Sequence, residues 1–223
     1  MALTLTELLT RVGYNTNRSD LTTRVTAYLN DGLREMARRH QWRDLHIERS
    51  ATLTAGTYRY AFPSDMDKFM GIRIIDDAES EWLKARTKSW LNRYEPYPDG
   101  ESTAKPEFVC VDGGYFEVYP RPDEAYTVWI NITKWPATLS NLSDTPDIDG
   151  VDDVLVAYAT AQAFLSLGQH ENGQQWIMEF ERRFRSARLQ DGDWPTLDTP
   201  RDGVVSEGAV GLPNDYWLRP DVG

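Results

Sequence analysis

The chain has 223 residues, 40% of them hydrophobic, with 24 Lys+Arg against 35 Asp+Glu for a formal net charge of −11. That is the composition of a folded chain with one sizeable core or two small ones, and so acidic a chain is a poor candidate for gripping a phosphate backbone. No window approaches 18 consecutive apolar residues, the start Met1-Ala2-Leu3-Thr4 lacks the regions of a secretory signal, and the single cysteine, Cys110, excludes an intrachain disulfide, so a cytosolic setting without a membrane span is expected.

The chain opens on a helix. Thr4 and Glu7 stand at capping-box spacing, Leu5, Leu8, Leu9 and Val12 share one stripe, and Gly13 is the expected stop. After a polar linker at 15–18, a second helix is expected over about 20–40. Leu21, Val25, Tyr28, Leu29, Leu33, Met36 and Ala37 recur at three- and four-residue steps, and Arg38, Arg39 and His40 put positive charge in the last turn. The period then falls to two. Leu45, Ile47, Ala51 and Leu53 predict a strand, Ala55-Gly56 a turn, Tyr58 and Tyr60 an alternating stretch, and 69–75 another strand. Residues 87–94 predict a short helix closed by Pro96 and Pro98; 108–119, around Gly113-Gly114, predict a hairpin; 125–135 alternate again. Helix returns near Val151, with Asp149 as the expected N-cap, Asp152 and Asp153 in the first turn, and Val154, Leu155, Tyr158, Ala159 and Leu165 on the apolar face. Gly168 breaks it. A last helix over about 171–189 uses Trp176, Ile177, Phe180 and Phe184 and ends basic, with Arg182, Arg183, Arg185 and Arg188.

After Gln190 the periodicity stops. Residues 191–223 hold seven acids against Arg201 and Arg219, a net −5 of the chain's −11. A solvated tail is the simplest reading of such composition. But Trp194, Leu212, Tyr216, Trp217 and Leu218 are costly to leave in water, and an arm that docks on another chain suits them better. Fully extended, it spans about 110 Å. The chain as a whole carries 8 Trp and 11 Tyr at a mean hydropathy of −0.57, a ring content that suits surfaces shared with partners.

No catalytic signature emerges. The three histidines, His40, His46 and His170, lack metal-ligand spacing and read as solvated or capping. Cys110, between Val109 and Val111, reads as a buried inert thiol. Residues 144–153 imitate a calcium loop. With Gly150 at the glycine position, however, the loop starts on Thr145 and ends on Val156, so both chelating ends are lost and no metal is expected. Three Asn-x-Ser/Thr matches, at Asn17, Asn131 and Asn141, are chance without a secretory route. A pair of distant carboxylates for glycoside hydrolysis, or Tyr58, Tyr60, Tyr126 and Trp129 as a sugar platform, stays open beside a plain packed sheet face.

Taken in order, the segments resemble the head–tail connector, or portal-adaptor, proteins of tailed bacteriophages. The resemblance covers about 4–189. It rests on Tyr60-Ala61-Phe62-Pro63-Ser64-Asp65-Met66 before an apolar strand at Ile72, on Phe116-Glu117-Val118-Tyr119-Pro120-Arg121-Pro122, and on Trp135-Pro136-Ala137-Thr138-Leu139-Ser140. It also rests on Asp144 to Gly150 followed by Asp152-Asp153-Val154-Leu155-Val156-Ala157-Tyr158-Ala159. None of these is catalytic. The resemblance implies an α+β fold: a bundle of about four α-helices (1–44 and 137–190), an inserted, mainly antiparallel β-domain (45–136) and an extended C-terminal arm (191–223). It implies a virion protein of the neck, made in the host cytoplasm. Such proteins form commonly dodecameric rings under the portal, extend the DNA channel and carry the next tail component.

The expected partners are therefore the portal protein, a downstream tail or neck protein and further copies of the chain, with DNA passing unheld, no membrane, no cofactor and no enzyme activity. An acidic lining repels phosphate within about 8 Å at physiological salt and lets a duplex slide. Trp194, Leu212, Tyr216, Trp217 and Leu218 are the expected portal contacts. A one-chain ring needs head-to-tail interfaces that close. Its expected inter-subunit residues are the basic Arg38, Arg39, Arg182, Arg183 and Arg185 against the acidic Asp147, Asp149 and Asp152, although helix-end charge matching within one chain explains the same residues. Another neck or tail component, such as a stopper or tail-tube protein, and a carbohydrate-binding or glycoside-active module are the alternatives.

Overall fold

The computed structural model describes residues 2–75, 80–94 and 103–192. Among them are five α-helices and two four-stranded, mainly antiparallel sheets, an α+β architecture. The chain order is α1 (Leu5–Thr16), α2 (Thr22–Arg39), a 3-10 turn (Arg43–Leu45), β1 (His46–Leu53), β2 (Arg59–Ala61), β3 (Met66–Ile75), β4 (Ser80–Trp82) and β5 (Lys84–Arg86). There follow α3 (Lys88–Tyr94), β6 (Phe108–Asp112), β7 (Tyr115–Tyr119), β8 (Tyr126–Lys134), α4 (Asp152–Ser166) and α5 (His170–Gly192).

The helices α1, α2, α4 and α5 share one core. Helix α1 starts on the box legible in the sequence: the Glu7 N–H donates to Thr4 Oγ1, and the Thr4 N–H donates to Glu7 Oε2 at 2.8 Å. It does not stop at Gly13. It runs to Thr16 and ends on Asn17, whose φ of 52° is the left-handed conformation that asparagine tolerates. Nor is Asp149 the cap of α4. Gly150, at φ 73°, turns the chain first, the helix begins at Asp152, and the Asp149 N–H donates to the Asp44 carboxylate at 2.8 Å. Helix α4 is apolar on nearly every face and accordingly buried, with α1, α2 and α5 all packed on it. Trp42 closes the end of this core, fully buried, its Nε1–H donating to the Met36 carbonyl at 3.1 Å.

The strands form two sheets, ordered β1-β8-β3-β4 and β2-β7-β6-β5, with one parallel pair, β5 with β6. Each sheet turns one face to a second core, where Leu53, Ile72, Ile74, Val128 and Ile130 of the first meet Val109, Phe116 and Val118 of the second. Phe116 sits at its centre, with the Tyr60 and Phe62 rings each 5.3 Å away and Phe69 at 6.5 Å. Tyr60 and Tyr126 are thus packing residues, whereas Trp129 faces outward. Cys110 is buried, and burial pushes its thiol pKa up. Pro96 and Pro98 lie outside the described residues.

Candidate assembly surfaces

The acidic segment is knit into its own chain. Asp144 accepts from the backbone N–H groups of Asn141 and Ser140, both at 2.8 Å, which hold its carboxyl below the usual range. Burial alone would raise Asp147, but Lys134 Nζ and the Ala137 N–H, each donating at 2.9 Å, outweigh it and lower the pKa. Asp152 Oδ2 accepts from the Leu3 N–H at 3.0 Å; burial pushes this carboxyl up, and its Oδ1 is buried without a hydrogen-bond partner. Asp153 pairs with Arg11 at 2.9 Å. These acids tie α1, α4 and the end of β8 together, and Asp149 is left exposed. Among the described residues no three or more His, Cys, Asp or Glu gather as a metal site.

The basic helix ends are also largely engaged. Arg39 bridges Glu35 at 2.7 Å and Glu181 at 2.6 Å and lies 5.5 Å from the Phe180 ring, so it staples α2 to α5. Arg182 and Arg183 both bind Glu179, at 2.7 and 2.5 Å, and lower its carboxyl to about 2. Arg183 also donates to the Asp153 backbone carbonyl at 3.1 Å, which links α5 to the first turn of α4. Arg38 is exposed, 3.9 Å from Glu35. Arg185 is exposed, with no ion pair among the described residues.

Trp194, Leu212, Tyr216, Trp217 and Leu218 lie outside the described residues. Their root does not. Asp191, its side chain 10% exposed, accepts from Arg43 Nε at 3.0 Å and lies 2.8 Å from His40 Nε2. His40, the C-cap of α2, stands edge-on to Trp42 at 4.8 Å. The last turn of α5 is thereby locked against the corner between α2 and β1. Sequence reasoning counted Asp191 as a tail acid. The signal was there: Phe180, Phe184, Ala187 and Asp191 continue one helical stripe.

Two exposed groups stand out. On the outer face of the first sheet, Trp82, which the sequence reading did not single out, and Trp129, which it did, are 51% and 37% exposed. Both rings face the Arg73 guanidinium, at 5.8 and 4.7 Å, which in turn donates to Glu48 at 2.8 Å. On α5, Met178 and Leu189 stand out of the surface opposite the buried stripe, with Arg182 and Arg185 between them.

A family model described as SU10 adaptor protein matches residues 3–202, a span that holds both cores. No curated protein matches the chain.

Proposed function

The chain belongs to the SU10 adaptor protein family, a phage adaptor family, and on that premise we propose that it is the ring-forming connector between portal and tail. The family is one of structural virion proteins and not an enzyme class. The observation that carries the reading is the extent of the match, which takes in the helical bundle, the β-insertion and the first residues of the C-terminal segment as one unit. The division of labour proposed is by segment. Residues 1–44 and 137–190 form the ring body, 45–136 the platform for the downstream tail component, and 191–223 the arm that reaches the portal. The acidic body, within a net charge of −11, lets DNA pass without holding it. Because Arg39, Arg182, Arg183, Asp147 and Asp152 are already engaged within the chain and Arg38 stands 3.9 Å from Glu35, Arg185 and Asp149 are the charges left for a neighbour. No helix among the described residues is long and apolar enough to cross a membrane.

The arm is tested on the full-length protein. Replacing Tyr216, Trp217 and Leu218 by alanine is expected to weaken binding to the purified portal by about 30-fold or more, the loss typical of aromatic anchors. Unchanged affinity overturns the arm's role.

A further inference from the structure

Helix α5 has an exposed face that nothing within the described residues covers. Met178, Arg182, Arg185 and Leu189 follow one another at helical spacing on the side opposite the buried Phe180 and Phe184, and the two apolar members are 65% and 56% exposed. Arg188 lies beside them, exposed, and neither it nor Arg185 has an ion pair among the described residues. In a chain of net charge −11 this is a concentration of positive charge with two apolar contacts set into it, and methionine suits a surface that adapts to what it binds.

We propose that this stripe holds the first part of the C-terminal arm, about 193–202, of a neighbouring copy of the chain. Charge selects the occupant. That stretch carries Asp193, Asp198 and Asp202 against Arg201, with Trp194 and Leu197 to meet Met178 and Leu189. Length allows it: ten extended residues reach about 33 Å, and the stripe is about 17 Å long. The described chain ends in a place that favours a neighbour over the arm's own helix. To lie on its own stripe the arm would have to reverse direction directly after Gly192, the last residue of α5, whereas the stripe of a neighbouring copy makes no such demand. The rest of the arm, with Tyr216, Trp217 and Leu218, stays free for the portal. The contact rests on the ring reading above and gives it a strap between adjacent subunits.

Two full-length single variants, Ser186→Cys on the exposed side of α5 and Thr196→Cys in the arm, test it when mixed in equal amounts, alone and with portal, and oxidised. Cys110 is buried and does not compete. A disulfide joining one chain of each variant is expected, with a yield that falls about fivefold when Arg185→Glu and Arg188→Glu remove two exposed ion pairs. Particle mass is read on the same samples. A ring without the inter-chain disulfide overturns the strap and leaves the ring reading standing. Neither ring nor disulfide overturns both.

Discussion

Asp191 carries more of the architecture than its place near the end of a helix suggests. Burial alone would raise its pKa, but the hydrogen bonds from Arg43 and His40 outweigh burial and hold it below the ordinary carboxylate range. A depressed carboxyl contributes stability that is present above its unfolded pKa and is lost as pH falls through the folded one. Asp191→Asn is therefore expected to cost about 1–3 kcal/mol at neutral pH and much less at acid pH, where the native carboxyl is itself protonated. Denaturant unfolding at both pH values checks this; an equal cost at both contradicts it. Gly32 gives a second residue-scale prediction. In the middle of α2, alanine would ordinarily gain about 1 kcal/mol over glycine. Here a Cβ would stand 2.9 Å from Cδ1 of Tyr158 and 3.3 Å from Leu155, at the crossing of α2 and α4. Gly32→Ala is accordingly expected to lose about 1–3 kcal/mol, and a raised melting temperature would refute the close crossing.

Among the elements, the helices were legible, but the end of α1 and the start of α4 were not. The stripes of α1, α2 and α4 follow from spacing alone, because an amphipathic or wholly apolar period of 3.6 survives whatever it packs on. The boundaries depend on turns. Asn17 and Gly150 adopt positive φ, and each moved a boundary by a few residues from where the nearest good cap stood. The long strands β1, β3 and β8 showed their alternation, but three-residue strands such as β4 and β5 carry too little pattern, and the parallel pairing of β5 with β6 has no local signal. For the same reason the long-range ion pairs were hidden. Arg39 and Asp191 were visible as charges, yet their partners Glu181 and His40 are far away in sequence.

Two separate cores make an element-scale prediction. Phe116→Ala empties the centre of the sheet core and is expected to cost about 3–5 kcal/mol. Amide exchange should then quicken in β3 and β8 before α4. Equal acceleration in α4 would show that the two cores unfold as one.

At the scale of the molecule, the sheets and the helices leave exposed groups that suit contact with other chains: Arg73 with Trp82 and Trp129 on the sheet, and Met178 to Leu189 on α5. Asp191 fixes the last turn of α5 to the corner between α2 and β1, and in the proposed connector the acidic body would keep a duplex at a distance. Assembly of the proposed ring through exposed arginines would be salt-sensitive, so raising ionic strength well above physiological is expected to lower the ring fraction. The central claim is that this chain builds a connector on a portal. It is tested most directly by the mass, from light scattering, of the full-length protein with the purified portal. The account predicts one discrete complex holding many copies of the chain per portal. A chain that stays monomeric and leaves the portal's mass unchanged would contradict it.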